Sequence, residues 1–177
     1  MQAKKDNFCG KIKQKMKVIV AADHGGFQAK ENAKKWLTKW HYEVIDAGAE
    51  TMQPTDDFPD MVAAAVKQWQ KDPQAKMLLW CRSGAGVCIA ANRYPGVFCG
   101  LGTNEQQVAA ATRDDHLNAL AIAADFVNKA SEKLMIRAFL TIKPSNEERF
   151  VRRLKKIDEY GKNAWQEKTK KKTKADK

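Results

Sequence analysis

The 177-residue sequence has no long hydrophobic run. Its longest, Met61 to Val66 and Ala119 to Ala124, are six residues each, against about 20 for a helix that crosses a bilayer, so no membrane-spanning segment is expected. The opening stretch MQAKKDNFCGKIKQK is basic but lacks an apolar core followed by a small-residue cleavage site. It does not read as a secretory signal, and the chain is expected in the cytoplasm. Four cysteines, Cys9, Cys81, Cys88 and Cys99, include no CxxC pair, and three histidines, His24, His41 and His116, supply no paired ligand spacing. Neither a disulfide scaffold nor a metal site is indicated. There is no internal repeat and no linker rich in Pro, Gly and Ser. What remains, 44% hydrophobic and 30% charged residues, suits one compact domain large enough to hold itself together by burial alone.

The net charge of +11 sits at the ends. Residues 1–15 carry +4 and residues 161–177 carry +5, leaving +2 for everything between. The chain therefore divides into a basic N-terminal extension (1–15), a nearly neutral domain (16–160) and a Lys-rich tail (161–177). The tail reads as a solvated, disordered end rather than a phosphate-contacting arm, because only Trp165 interleaves its lysines. Nucleic acid is thus not an expected partner beyond a weak contact through the tail.

From Lys17 the hydrophobic period alternates between strand and helix. VIVAA (18–22), EVIDAG (43–48), MLLWC (77–81), VFCGLG (97–102) and ALAIAA (119–124) read as strands. Between and after them, segments beginning near Phe27, Phe58, Gly86, Asn104, Ala130 and Ser145 read as helices, the last ending at Tyr160 and the fourth capped by Thr103 or Asn104. Five strands separated by helices predict a parallel sheet covered on both faces, a three-layer Rossmann-like α/β sandwich. Ligands in such folds bind at the carboxyl ends of the strands, where Asp23 to Gly26, the 46–60 loop and Cys81 to Gly86 fall.

Cys81-Arg82-Ser83-Gly84-Ala85-Gly86 joins a buried strand to a helix, so its N–H groups can hold an anion. It is not a Walker A loop, and Ile89 stands where a dinucleotide fingerprint has its third glycine. A small anionic substrate fits better than a nucleotide cofactor. Beside a helix start and Arg82, the Cys81 thiol is favoured as thiolate and suits a proton carrier, with burial as a small hydrophobe the equal alternative. Cys88 and Cys99, inside helix and strand patterns, read as packing. Asp23-His24 can accept a hydroxyl and bind phosphate or move a proton, although Asp23 can equally cap a helix. His41 reads as part of a turn. Arg149 and Arg153, four apart on one helical face, can grip a phosphate, while a solvated basic face is the plainer reading.

Together VIVAADHGGFQAKE, Asp46-x-Gly48, DDFPD (56–60), CRSGAGVCIAANR, NALAIAADF and RFVRRLKKI resemble the ribose-5-phosphate isomerase B family, which also includes galactose-6-phosphate isomerase subunits. The resemblance runs in order from about Lys17 to Ile157. It implies a cofactor-free and metal-free aldose–ketose isomerase of sugar phosphates, acting through an enediolate in homodimers or homotetramers with shared active sites. It implies Cys81 as the proton carrier and Ser83, Gly84, Gly86, Val87 and Cys88 as the anion-stabilising loop. Asp23, His24 and Asn118 become substrate contacts, and Arg149 and Arg153 grip the phosphate.

Several positions depart from the family pattern. The family's ring-opening His aligns with Asp114, so either Asp114 or the nearby His116 takes that role, or opening is unassisted. Val87 stands where some members carry a catalytic Glu, leaving Cys81 as the only candidate base. Arg82 replaces a usual Gly, Asp125 a frequent basic residue and Phe150 a frequent His. The expected reaction is ribose 5-phosphate to ribulose 5-phosphate. The alternatives are another sugar phosphate, such as a hexose 6-phosphate, and a binding protein without turnover.

Overall fold

The computed structural model describes residues 15–175, with side-chain detail through Gly161; the N-terminal extension falls almost wholly outside them. Five strands alternate with helices: β1 (Lys17–Ala22), α1 (Phe27–Lys39), β2 (Glu43–Asp46), α2 (Phe58–Trp69), β3 (Lys76–Cys81), α3 (Ala85–Ala91), β4 (Cys99–Leu101), α4 (Glu105–Asp114), β5 (Ala119–Ala123), α5 (Lys129–Thr141) and α6 (Glu148–Ala175). All neighbouring strands are parallel, in the order β2-β1-β3-β5-β4. The expected α/β sandwich is thus present. The chain reverses its winding direction between β1 and β3, which opens a crevice at their carboxyl ends.

Alternation along each strand builds two cores. Val18, Val20, Ala22, Leu78, Trp80, Leu120 and Ile122 face α1, α4 and α5, while Ile19, Ala21, Met77, Leu79, Cys81, Ala119 and Ala121 face α2 and α3. Because both faces are covered, β1, β3 and β5 read as continuous apolar runs. The fully buried Trp80 donates its indole N–H to Glu132 Oε1 at 2.7 Å. It lies on β3, where the reading of MLLWC (77–81) as a strand placed it.

Two elements differ from the sequence reading. β4 is only three residues long, because Gly100 and Gly102 give an edge strand little to pack. The last helix continues past Tyr160 to Ala175. The disordered end expected from the lysine run is helical instead, since residues 162–175 contain no proline or glycine and are rich in Lys, Glu, Gln and Ala. Asn104 is the cap of α4, its side chain accepting from the Gln107 N–H at 2.9 Å. No helix among the described residues is long and apolar enough to cross a membrane.

A buried charge cluster ties α1 to the end of β2. Lys30, with no exposed surface, donates to Asp46 Oδ1 and Oδ2 at 2.9 and 2.8 Å and to the Ala49 carbonyl at 2.8 Å. Lys34 reaches the same carboxylate at 2.6 Å, and Gly48 N–H donates to it at 3.1 Å. Burial alone would raise the Asp46 pKa, but the donations from Lys30, Lys34 and Gly48 bring it below the usual carboxylate range. Removing one partner leaves the other half-desolvated and unpaired. Lys30→Met is therefore expected to lower unfolding free energy by about 3 kcal/mol in urea titrations. Adding Asp46→Asn should recover part of that loss, and a single variant as stable as the native chain would refute the anchoring role.

Candidate active site

The turn after β1 is set by a close approach. A Cβ on Gly26 would lie 2.4 Å from Trp80 Cβ and 2.8 Å from its backbone carbon, so only glycine lets the 23–26 turn rest on β3. Asp23 is buried, and its Oδ1 accepts the Gly26 N–H at 3.1 Å. It thus closes the turn with one oxygen and is not the helix cap that the alternative reading expected, since the N-cap of α1 is Gly26 and carries no side-chain bond. His24 is clamped by the loop after β2: Asp56 Oδ1 accepts its backbone N–H at 2.8 Å and lies 2.9 Å from ring Nδ1. With the proton on Nδ1, Nε2 faces outward without a partner among the described residues. The hydrogen bond to Asp56 raises the His24 pKa above its ordinary value.

Cys81 ends β3 on the α2/α3 side, buried, its carbonyl accepting the Ala124 N–H at 3.0 Å. The following loop turns at Gly84, whose φ is +71° and whose Cβ would meet Leu101 Cδ1 at 2.5 Å and Ala123 N at 3.0 Å. The loop is consequently pressed onto the ends of β4 and β5. The Phe58 ring lies over Gly86. The backbone N–H groups of Ser83 to Val87 have no acceptor among the described residues, whereas that of Cys88 is bonded to the Gly84 carbonyl at 3.1 Å. Up to five donors therefore line a short loop beside the Cys81 thiol, which suits an oxyanion. Val87 is a core side chain, and Ser83 is exposed. Arg82 turns to the surface, pairing with Asp125 at 3.3 Å.

The remaining expected site residues lie at the opposite edge of the sheet. Asn118 directly precedes β5, accepting from the Phe98 N–H at 2.8 Å and donating to the Gly96 carbonyl at 2.7 Å. Both ends of its amide hold the turn before β4. Asp114 closes α4 in a two-pronged pair with Arg113 at 2.7 and 3.1 Å. That pairing, reinforced by the charges of Arg149 and Arg153, depresses its pKa. His116, at a left-handed φ of 52°, meets the Ser145 carbonyl through Nε2 at 2.7 Å. Arg149 pairs with Glu147 at 2.9 Å and stacks on Phe150. The length of β5, roughly 17 Å at 3.3 Å per residue, separates this group from Cys81. Within one chain the two sets do not meet, which spacing in a sequence could not reveal.

Sequence reasoning passed over Asp56, Phe58 and Lys30. The first two lie in the DDFPD segment, whose acids before a Phe-Pro helix start were the available signal. Lys30 carried none, being one of four lysines on α1.

A family model described as Ribose/Galactose Isomerase matches residues 18–157. The chain is 31% identical over 123 residues to a probable ribose-5-phosphate isomerase B of Mycoplasma pneumoniae, spanning 70% of this chain and 81% of that one. It is 31% identical over 145 residues to ribose-5-phosphate isomerase B of Mycobacterium tuberculosis, spanning 82% and 90%. The crystal structure of ribose-5-phosphate isomerase B from Mycoplasma genitalium with bound ribulose-5-phosphate is similar at a TM-score of 0.78 and 29% identity, covering 83% of this chain and 97% of that one.

The Asp56 clamp has a measurable signature. Because the His24 pKa is raised in the fold, the pair's contribution to stability is fully present below about pH 6.5 and is lost as pH rises through the folded value. Asp56→Asn should move the His24 titration, followed by ring NMR, down toward its ordinary value. An unmoved titration would show that Asp56 does not govern this imidazole.

Proposed function

This chain belongs to the Ribose/Galactose Isomerase family, and from that premise we propose that it interconverts ribose 5-phosphate and ribulose 5-phosphate through an enediolate. The observation that carries the reading is the juxtaposition, at one edge of the sheet, of the Cys81 thiol with the acceptor-free amides of Ser83 to Val87. As thiolate, Cys81 takes the proton from C2 of the opened aldose. The C2–H electron pair forms the C1–C2 double bond, and the carbonyl π pair moves onto O1, where the loop amides meet the developing charge. Proton return from Cys81 to C1, with transfer of the O2 proton to O1 as C2=O2 forms, gives the ketose without net oxidation. Preorganised donors of this kind are each worth roughly a hundredfold or more in rate. Asp23, through its second oxygen, and His24 Nε2 orient the sugar.

The phosphate grip and ring opening fall to a second copy of the chain. Arg149, Arg153, Asp114 and His116 sit a strand's length from Cys81 in their own subunit, so a homodimer or homotetramer that sets one copy's amino edge against another's carboxyl edge completes the site. An apolar groove lined by Pro59, Ala90, Arg93, Tyr94 and Pro95, with exposed Ile89 on the same helix, supports a subunit contact beside the anion loop. Of the two ring-opening candidates, Asp114 is paired with Arg113 and His116 Nε2 with the Ser145 carbonyl, so either gives up a partner to act. The enzyme is proposed to work in the cytoplasm.

Ribulose 5-phosphate formation with a chelator present tests the assignment. Cys81→Ala should lose about 10²- to 10⁴-fold in kcat, the range for a general base, with an unchanged circular dichroism spectrum. Equal activity in both proteins would remove Cys81 as the base. Turnover of hexose 6-phosphates alone would reassign the substrate, and binding without turnover would leave a non-catalytic role.

A further inference from the structure

Cys88 and Cys99 are not the independent packing residues their sequence positions suggest. Asn92, one turn after Cys88 at the C-terminal cap of α3, binds both of them. Its Nδ2 donates to the carbonyls of Cys88 and Cys99 at 3.0 and 2.8 Å and approaches Cys88 Sγ at 3.6 Å, while its Oδ1 accepts the Cys99 N–H at 2.9 Å. This side chain fixes the register of the helix end against β4 and sets Cys88 beside Cys99. Protonated, Cys88 donates to the Cys99 carbonyl at 3.4 Å.

The two sulfurs are unequal. Cys99 is 8% exposed, while Cys88 is only half-buried. The hydrogen bond from Cys99 lowers the Cys88 pKa to about 7, and the same bond together with burial pushes that of Cys99 well up. An accessible, readily ionised thiol facing a buried, protonated one is the arrangement in which the first is oxidised and the second resolves it.

We propose that Cys88 and Cys99 form a peroxide-sensitive modification site, Cys88 being the thiol attacked by a hydroperoxide and Cys99 the one that closes an intramolecular disulfide. The Cys88 thiolate attacks the outer oxygen of the hydroperoxide. The O–O bond breaks, an S–O bond forms, and the departing alkoxide or hydroxide takes up a proton. Sulfur is thereby oxidised by two electrons to the sulfenic acid, and the peroxide is reduced to alcohol or water. Cys99 then gives up its proton and attacks the Cys88 sulfur; the S–S bond forms as the S–O bond breaks, and hydroxide leaves with that proton as water. A dithiol reverses the change. The proposal concerns side chains that the isomerase reading does not use, and it stands or falls independently of it.

The test is peptide mapping of the folded native chain after brief treatment with hydrogen peroxide and alkylation of the remaining thiols. Tryptic cleavage at Arg82, Arg93 and Arg113 separates Cys81 from Cys88 and Cys88 from Cys99. The expected product is a disulfide joining peptides 83–93 and 94–113, two hydrogens lighter than their sum and abolished by dithiothreitol. In Cys99→Ser the Cys88 peptide should instead carry a dimedone-trapped sulfenic acid. Cys88→Ser should leave Cys99 unreacted. A linkage to Cys81, over-oxidation of Cys88 with Cys99 still alkylated, or no reaction of either thiol would each overturn the proposal.

Discussion

The 23–26 turn lies against β3 with no side chain between them. Gly26 rests on the Cα-side atoms of Trp80, and this contact fixes the distance between the ends of β1 and β3. Everything proposed for the chemistry hangs from these two strand ends: Asp23 and His24 on one, Cys81 and its loop on the other. A larger residue at Gly26 would wedge the crevice open at the topological switch point. Trp80 cannot yield, because its ring is wholly enclosed and its indole N–H is committed to Glu132. Rigidity at the site thus originates in the opposite core, on the α1/α5 side of the sheet.

A second line of support reaches the site from β2. Lys30 and Lys34 hold the Asp46 carboxylate, and Lys30 also holds the Ala49 carbonyl, so the first turn of the 46–57 loop is pinned to α1. The far end of that loop delivers Asp56 to His24 and Phe58 to Gly86. A loop that would otherwise be free to swing is therefore fastened at both ends. Its charged anchor has a desolvation cost that a purely apolar contact would not carry, and it gives orientation in return.

The strands were legible in the sequence because burial on both faces leaves continuous apolar runs, and their carboxyl ends pointed to Asp23, His24 and Cys81 before any coordinates. Strand order was not legible: local periodicity says nothing about which neighbour a strand pairs with, and β5 lies between β3 and β4. The fold sends Asp114, His116, Asn118, Arg149 and Arg153 to the other edge from Cys81, a separation that local periodicity does not show and that only the family resemblance, with its sites shared between subunits, allowed for. Cys88 and Cys99 looked inert because each fits its own element's pattern, and only the packing of α3 on β4 through Asn92 pairs them. The lysine run looked disordered from its charge, but its residues are good helix formers and α6 carries through them.

α6 is 28 residues long, about 42 Å at 1.5 Å per residue, whereas the longest strands span about 20 Å. Lys168 follows Arg153 by fifteen residues, about 22 Å along the helix axis. Physiological salt screens exposed charges over about 8 Å. The far end of the helix and the turn that carries Arg149 and Arg153 are therefore electrostatically independent.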